Sequence, residues 1–514
     1  MELIKKKSFL NTSEKRDKFL YCVIVTVIIG LIAHAYQFFH SSFSHDSLNA
    51  LYSDMTEIKW KLALGRFVVP LIMKIRGQIA LPWLIGIVSL FLIAASLYLI
   101  LETIQIDSKA MIILVSIFMV TNRTIYSMTA TFIYELDYDM LALFFASLAA
   151  YILMKKDRPG WYLLAFLSGV LSLGLYQSYI EVAFAIVIIA SLKNLLEGSK
   201  YSQVLKRGII AIVSFVLSVV AYYLIYKLSC KFFNVQIEGR TDAFSGEYTS
   251  IIVSLKVMLY KLIHDVVKPG TIYELPIVGI ADILLIAIGV ALCLIMIFKL
   301  GKGKTGEKVV SLLLLAALPL SLNLICLTIK SGSEHDLMTY SFNFLYIFAL
   351  VMIYMFNRKK NIKSINIVAV ALCAIIGFNN VVVSNTFYLK KDMEKTATVS
   401  LMTRVVDDLE ERDDYSVGVT PIMFIGVPEV FSIYEGFDLA PELPIGLTFR
   451  SSFYQSSRLD IYNSYKKFFT YYLNYPINYS EKDLTRDERV KAMPTYPNKG
   501  YIQNIDGVLV VKFE

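Results

Sequence analysis

Residues 81–101, LPWLIGIVSLFLIAASLYLIL, decide the fold class, because this run contains no charged side chain. A helix needs about 20 apolar residues to cross a bilayer, and comparable runs recur along the chain, for example at residues 277–298. The 514-residue chain is 56% hydrophobic and only 18% charged, whereas soluble domains usually carry about 25% charge. These figures exclude an ordinary soluble protein and predict a polytopic α-helical membrane protein.

Eleven membrane spans are predicted from the apolar runs. The first follows Lys18; it is too long for the core of a signal peptide and has no small-residue cleavage site. The predicted spans lie at about residues 19–40, 80–101, 110–126, 139–154, 161–178, 180–196, 209–229, 277–298, 309–329, 338–356 and 365–384.

The charges of the loops predict the orientation of these spans. Basic loops stay in the cytoplasm, and the short loops after alternate spans are basic, so the N-terminus is placed inside and the C-terminus outside. The hairpin at residues 102–109 is an exception, because it is nearly neutral. The basic residues of the inner loops are Lys155, Lys156, Arg158, Lys193, Lys200, Lys206, Arg207, Lys299, Lys302, Lys304, Lys308, Arg358, Lys359, Lys360 and Lys363.

This orientation gathers acidic residues on the outer face, where a carboxylate at membrane depth indicates a functional site. Three stretches on the same side, at residues 47–60, 66–75 and 251–267, are amphipathic and are predicted to lie along the membrane surface. The outer acids are Asp46, Asp54, Glu57, Glu135, Asp137, Asp139, Glu181, Asp242, Glu334 and Asp336.

The C-terminal part of the chain has the composition of a soluble segment. It begins near Asn385 and is rich in charged residues, proline, asparagine and tyrosine. A helix is predicted at residues 393–409 and strands at residues 415–419 and 508–513, which together favour a small α/β domain. The predicted domains are therefore a membrane domain, residues 1–384, and an outer domain, residues 385–514.

Charge, cysteine and motif patterns exclude several other classes of protein. The net charge of +8 comes from separate clusters at the loop ends, so it does not indicate a nucleic-acid partner. The five cysteines form no CxxC pair, which argues against disulfides and structural zinc. The chain contains no Walker A, GxGxxG after a strand, HExxH or GxSxG sequence, which weighs against a P-loop pump, a Rossmann enzyme, a zinc protease and a serine hydrolase.

The first candidate site is Asp46, just beyond the outer end of the first span, between Ser44 and Ser47. Partial desolvation there would raise the pKa of the Asp46 carboxyl group toward the value that a general base needs. The alternative is that these residues only cap the following helix.

The second candidate is the stretch at residues 134–139, where Glu135, Asp137 and Asp139 alternate with other residues. Three acids at this position suit a divalent cation, Mg²⁺ or Mn²⁺, or the hydroxyl groups of a sugar beside tyrosines. The alternative is a solvated loop that ends in a helix cap.

The third candidate is the tight outer hairpin at residues 173–181, where Tyr176, Gln177 and Glu181 would face a cavity. An interfacial aromatic belt explains it equally well. Two outer arginines, Arg66 and Arg123, could each bind an anionic phosphate, or could extend toward lipid headgroups. His264 and the loop at residues 334–336 are weaker candidates for contacts with phosphate or acceptor.

The residues His45-Asp46-Ser47-Leu48, Trp60 through Leu64-Gly65-Arg66, and Gly174-Leu175-Tyr176-Gln177-Ser178-Tyr179 resemble the Gtr-type glucosyltransferase family. These serotype-conversion proteins look like members of the glycosyltransferase C superfamily. The resemblance covers the membrane part well and the C-terminal part only loosely. It implies a GT-C-like fold in which a sugar passes from a polyprenyl-phosphate carrier to an envelope glycan.

By position in that family, the resemblance implies that Asp46 is the catalytic base. It implies acceptor or metal binding by one of Glu135, Asp137 and Asp139, without separating them. It also implies donor or phosphate binding by Arg66, and the predicted donor-binding set is Arg66, Arg123, Tyr176 and Gln177.

The implied setting is the outer face of a bacterial cytoplasmic membrane, with glucose as the expected sugar and O-antigen, teichoic acid or a similar glycan as acceptor. Membrane lipids are expected partners. The sequence leaves two other functions open, a flippase for lipid-linked glycans and a glycan polymerase. The acids at the outer span ends, and the few arginines at residues 230–276, favour the transferase.

Overall fold

The computed structural model describes residues 12–40, 42, 45–52, 54–238, 251–267, 276–300, 304–327, 336–426 and 458–513. Helices dominate these residues. They are α1 (Thr12–Phe39), α2 (His45–Ala50), α3 (Met55–Ala63), α4 (Val69–Ile75), α5 (Pro82–Ile104), α6 (Lys109–Val120), α7 (Arg123–Thr131), α8 (Leu136–Lys155), α9 (Pro159–Leu175), α10 (Ile180–Leu196), α11 (Tyr201–Phe232), α12 (Ile251–Val267), α13 (Pro276–Ile295), α14 (Thr305–Ser321), α15 (Phe344–Lys360), α16 (Lys363–Glu410), α17 (Arg458–Phe468) and α18 (Glu488–Ala492).

Within the described part of the chain, eight helical segments are long and apolar enough to cross a membrane. They are Ser13–Phe39, Pro82–Ile104, Ile133–Lys155, Gln177–Leu196, Tyr201–Phe232, Pro276–Lys299, Tyr340–Lys360 and Lys363–Glu410. The pair α6 and α7 adds a ninth if it counts as one bent span, and α9 and α14 are shorter, with 17 residues each. A helix thus lies at each predicted span, and the chain is a helical membrane protein; the count of eleven and the orientation stay predictions.

A single asparagine explains why the span formed by α6 and α7 is bent by 46°. The Asn122 side chain donates to the Phe118 and Met119 carbonyls at 2.9 and 3.1 Å, and its oxygen accepts from the backbone N–H of Ile125 at 3.1 Å. Groups at both helix ends need such partners when they are buried. Asn122 therefore ends α6 and begins α7 at the same point.

The acidic residues of the nearly neutral hairpin between α5 and α6 pair with a lysine on α1. Lys18 is buried, and its Nζ donates to Glu102 Oε1 at 2.6 Å and to Asp107 Oδ1 at 2.7 Å. A buried ammonium group needs such compensation. The acids of this hairpin thus pair with Lys18 at the base of α1.

The last membrane helix does not end where the hydropathy falls. α16 is a continuous helix of 48 residues, so it includes the predicted helix at residues 393–409, and the predicted domain boundary at residue 384 lies inside it. Beyond α16, four strands form one sheet: β1 (Pro421–Ile425), β2 (Asn478–Tyr479), β3 (Ile502–Ile505) and β4 (Val508–Lys512), in the order β2-β1-β4-β3.

In this sheet β1 runs parallel to β2 and β4, and β3 is antiparallel to β4. The predicted strand at residues 508–513 is confirmed, but the predicted strand at residues 415–419 is wrong. Gly418 has a φ of +69° in a turn there, and the strand begins only at Pro421. We call the sheet, α17, α18 and the C-terminal end of α16 the C-terminal module.

The C-terminal module shares its core with the long loop between α1 and α5. Leu48, on α2, is 1% exposed and packs in the same apolar cluster as Met402 of α16, Phe424 of β1 and Phe468 of α17. α17 also packs directly on α2. The module is therefore attached to the bundle at two places, through α16 and through α2.

Candidate active site

Two of the stretches that carry the family resemblance pack against each other. The backbone N–H of Val68 donates to the Gly174 carbonyl at 3.0 Å, and Gln177 Nε2 donates to the Leu64 carbonyl at 2.7 Å. Gln177 also donates to Tyr222 Oη at 2.7 Å. The turn that presents Arg66 is thus held by the hairpin at residues 173–181.

Gly65 is required at this turn for two separate reasons. Its φ of +79° lies in the left-handed region, which side chains with a Cβ rarely adopt. A Cβ at this position would also lie 2.2 Å from Tyr222 Oη and 2.9 Å from Gln177 Nε2. The close packing around Gly65 fixes the direction in which the next residue, Arg66, points.

Arg66 lies in a buried cluster of charges. Its Nη1 donates to Glu135 Oε2 at 2.5 Å, and its guanidinium carbon lies 4.1 Å from the centre of the Tyr176 ring. Lys61 Nζ donates to the other oxygen of Glu135 and lies 2.8 Å from Glu57 Oε1. Glu135 therefore bridges two cations that belong to the long loop between α1 and α5.

The carboxylates keep both cations charged. Burial is the largest single effect and works to lower the pKa of Lys61 and of Arg66, but the surrounding negative charges, Glu135 foremost, together outweigh it and raise the pKa of both residues. A cation placed in this way can stabilise a negative charge that develops on a substrate. The Nε of Arg66 is buried and has no hydrogen-bond partner among the described residues, so this donor is unsatisfied there.

The three acids of the second candidate differ in their surroundings. Glu135 accepts hydrogen bonds from Lys61 and Arg66. Asp137 accepts from Arg76 Nη1 at 2.8 and 3.0 Å. Asp139 is fully buried, and neither of its oxygens has a hydrogen-bond partner in the described part of the chain. Across those residues no group of three His, Cys, Asp or Glu side chains is placed to hold a metal ion.

The helix that carries Asp46 packs beside this cluster. α2 contacts the 3₁₀ turn Ile133–Glu135, so the first and second candidates are brought together in space. The side chain of Asp46 lies outside the described residues. Its helix also packs against the C-terminal module, through Leu48.

The rest of the hairpin connects the cluster to the turns before α15. The rings of Tyr176 and Tyr179 lie 5.8 Å apart, and Tyr179 lies 5.5 Å from Tyr340. Glu181 accepts from the backbone N–H of Ile325 at 2.6 Å and from Ser341 Oγ at 3.0 Å. Glu181 therefore holds two neighbouring turns in place.

Arg123 does not join the Arg66 cluster. Its guanidinium lies 3.3 Å from Asp336 and 3.5 Å from Asp265, and Lys261 lies 3.5 Å from Asp336. These pairs connect α7, α12 and the turn Asp336–Met338. His264 lies at the edge of this second cluster, 3.6 Å from Asp265, whereas residues 334 and 335 lie outside the described residues.

Sequence reasoning missed the residues that pair with the candidates. Lys61 and Arg76 neutralise Glu135 and Asp137, and Tyr222 fixes Gln177. Lys61 lies four residues after Glu57 on α3, a spacing that favours an ion pair. The ion pair of Lys61 with Glu57 could therefore have been predicted from the sequence, whereas the contact of Lys61 with Glu135 depends on the fold.

A bundle of apolar helices with a buried cluster of charges built from its loops defines a polytopic membrane protein. A family model described as Glucosyl transferase GtrII matches residues 35–354, which is more than half of the chain. The chain therefore belongs to the GtrII glucosyl transferase family, and the predicted resemblance is confirmed. The match includes the Arg66 cluster and ends before the C-terminal module.

This family supports a glycosyltransferase rather than the flippase or the polymerase that the sequence left open. No curated protein matches the chain, and no solved structure does.

Proposed function

We propose that this glucosyltransferase takes glucose from a polyprenyl-phosphate carrier and transfers it to an envelope glycan, such as O-antigen or teichoic acid. The reaction would take place at the outer face of a bacterial cytoplasmic membrane. The observation that carries the proposal is the buried cluster of Lys61, Glu135 and Arg66 beside Tyr176. Its cations come from a loop at the ends of the spans, where a lipid-anchored phosphate would lie.

In the proposed reaction an acceptor hydroxyl attacks the anomeric carbon of the glucose. Asp46 takes the proton of that hydroxyl, a new C–O bond forms, and the bond between the anomeric carbon and the phosphate oxygen breaks. The bonding electrons leave with the polyprenyl phosphate. One such displacement inverts the configuration, so a β-linked donor gives an α-glucoside.

Arg66 is the group proposed to stabilise the departing phosphate. One of its nitrogens is held by Glu135, while its Nε has no partner among the described residues and is a donor for a phosphate oxygen. Glu135 then acts as a positioning residue, because it fixes Arg66 and Lys61 together. Tyr176 supports the same guanidinium through its ring face.

The acids at residues 135–139 do not fit the divalent cation that their spacing suggests. The oxygens of Glu135 and Asp137 are already occupied by Lys61, Arg66 and Arg76. Asp139 remains as a buried carboxyl group that can accept from a sugar hydroxyl. We therefore assign acceptor or sugar binding to Asp139 and derive no step through a metal.

The test replaces Asp46 with asparagine and measures glucose transfer from a radiolabelled polyprenyl-phosphate glucose in proteoliposomes. General-base catalysis contributes about 10²–10⁴-fold, so Asp46→Asn should lower turnover by at least about 100-fold. The matched control is Asp54→Asn in the same loop. Asp54 caps α3 by accepting from Thr56 and Glu57 N–H groups, and asparagine caps equally well.

The control should keep turnover within about twofold, and both variants should elute as folded protein. Asp46→Asn with near wild-type turnover would show that another residue accepts the proton. Wild-type protein that transfers no glucose from any polyprenyl-phosphate donor to any envelope glycan would overturn the proposed function itself.

A further inference from the structure

The helix that carries Asp46 is too short to fix its own position. α2 has six residues, and isolated helices of fewer than about 12 residues are marginal in water. The position of Asp46 relative to Arg66 therefore depends on the contacts around α2. The contacts at its C-terminal end lead to Arg76, a residue that the proposed reaction does not use.

The chain just after α2 pairs with the chain just before α5. α2 ends at Ala50, and the two residues that follow it make the pairing. The backbone N–H of Ala80 donates to the Leu51 carbonyl at 3.0 Å. Tyr52 and Ile79 form an antiparallel bridge. The C-terminal end of α2 is thus attached to the segment that follows α4.

Arg76 lies at the start of this segment and connects it to the chain around the start of α8. Its Nη1 donates to Asp137 Oδ1 at 2.8 Å and to Asp137 Oδ2 at 3.0 Å. The same nitrogen donates to the Tyr134 carbonyl at 2.9 Å. Both charged side chains are only 11% exposed. A buried ion pair adds little net stability compared with apolar side chains, so stability alone is a weak explanation for this pair.

The contacts of Arg76 and of α2 meet at one turn. The 3₁₀ turn Ile133–Glu135, whose Tyr134 carbonyl accepts from Arg76, also contacts α2. α2 is therefore connected to this turn twice, once directly and once through the pairing that follows Arg76. Glu135 of the same turn accepts from Arg66. Arg76 thus connects the helix of the proposed base to the turn that holds the proposed phosphate ligand.

We propose that Arg76 is a positioning residue for glucose transfer, which sets the place of α2, and hence of Asp46, relative to Arg66. It acts through its contacts with Asp137 and Tyr134 and through the pairing of residues 51–52 with residues 79–80. This inference rests on the proposed function, in which Asp46 is the base.

The contacts of Arg76 also separate positioning from direct binding of a substrate. One nitrogen, Nη1, makes all three contacts, whereas Nε and Nη2 are buried and have no hydrogen-bond partner among the described residues. The ammonium group of lysine also offers three donors from one nitrogen, so Arg76→Lys should keep the contacts that positioning requires. A role of Nε and Nη2 in binding a substrate would be lost in this variant.

The experiment measures kcat and KM for transfer from polyprenyl-phosphate glucose in proteoliposomes, in the wild-type and Asp46→Asn backgrounds. The variants are Arg76→Lys, Arg76→Gln and the double variant Arg76→Gln, Asp137→Asn, which leaves no unpaired carboxylate if Arg76→Gln fails to fold. The matched control is Lys18→Gln, which removes another buried cation that is paired with acids.

A displacement of about 1 Å at a reacting group can cost roughly 100-fold in rate. Arg76→Gln and the double variant should therefore lower kcat about 100-fold and change the KM for the donor less than about threefold. Arg76→Lys and Lys18→Gln should keep kcat within about fivefold. In the Asp46→Asn background Arg76→Gln should lower kcat less than about threefold, because the base that Arg76 positions is already absent.

Four results would overturn the inference alone. They are Arg76→Lys as slow as Arg76→Gln, an equal loss in both backgrounds, an unchanged kcat in Arg76→Gln, and unfolding of both glutamine variants while Lys18→Gln folds. The first would assign the effect to Nε and Nη2, the second would make Arg76 independent of Asp46, and the last would show a purely structural role. Near wild-type turnover in Asp46→Asn, or no transfer by the wild type, would instead overturn the proposed function and this inference with it.

Discussion

Replacing Gly65 with alanine separates backbone strain from the packing that orients Arg66. Gly77 offers a matched control in the same loop between α1 and α5. Both glycines have a positive φ, +79° at Gly65 and +86° at Gly77, but no atom lies within 4 Å of a Cβ at Gly77. The two variants should therefore share the strain of the left-handed conformation, about 1–2 kcal/mol, and differ in the steric clash.

The size of the clash follows from the contacts of Gly65. A Cβ would lie 2.2 Å from Tyr222 Oη, whereas ordinary contacts begin at 3.4 Å, so the turn or Tyr222 must move by about 1 Å. Such a movement also disturbs Gln177, which donates to both Tyr222 and Leu64. A displacement of about 1 Å at a reacting group can cost roughly 100-fold in rate, or about 2.7 kcal/mol.

The assay compares thermal stability with glucose transfer at saturating donor in proteoliposomes. Gly77→Ala should lose about 1–2 kcal/mol of stability and keep transfer within about twofold. Gly65→Ala should lose roughly 100-fold in transfer, and removal of the Tyr222 hydroxyl in a Gly65→Ala, Tyr222→Phe double variant should restore part of it. Gly65→Ala that transfers glucose as fast as Gly77→Ala would refute the view that this contact positions Arg66.

Two further predictions concern the C-terminal module and the orientation. Leu48→Ala and Leu401→Ala both remove a leucine from the core of the module, so each should cost about 2–5 kcal/mol of its stability in a protease-protection assay. Only Leu48 lies on the helix with the proposed base, so only Leu48→Ala should slow transfer when both variants are folded; equal slowing would contradict the positioning by α2. For the orientation, a cysteine at Val419, which is 70% exposed, should react with an impermeant thiol reagent on intact cells, while a cysteine at Asp157 should react only after lysis. The five native cysteines are buried, and the opposite labelling would reverse the predicted topology.

The fold could be predicted from the sequence wherever one local signal dominates. Helix α12 lies at the predicted residues 251–267, because its amphipathic pattern alone determines it. The continuity of α16 was missed, although its signal was present. Hydropathy falls near Asn385, but no glycine or proline lies between Gly377 and Gly418, so nothing breaks the helix. The first strand was placed six residues too early, at residues 415–419, because Tyr415 and Val417 have strand propensity but lie before the Gly418 turn.

The site could be predicted only in part, because its charges pair across the fold. The motifs around Arg66 and Tyr176 indicated a shared site, and the structure packs them together. No spacing in the sequence shows that Glu135 pairs with Lys61, or that Arg123 lies in a different cluster from Arg66. Asp282 could have been noticed as a single carboxylate in an apolar run, but the cavity that it lines is formed by residues far apart in the sequence.

The continuous helix α16 has a mechanical consequence for the enzyme. Its 48 residues extend for about 70 Å, more than twice the roughly 30 Å of the hydrocarbon core. The C-terminal half of α16 therefore extends beyond the hydrocarbon core as one continuous helix toward the C-terminal module, and the contact of α17 with α2 attaches the module to the bundle a second time. The bundle, α16, the C-terminal module and α2 thus form a closed chain of contacts, so a displacement of the module relative to the bundle would also displace the helix that carries Asp46.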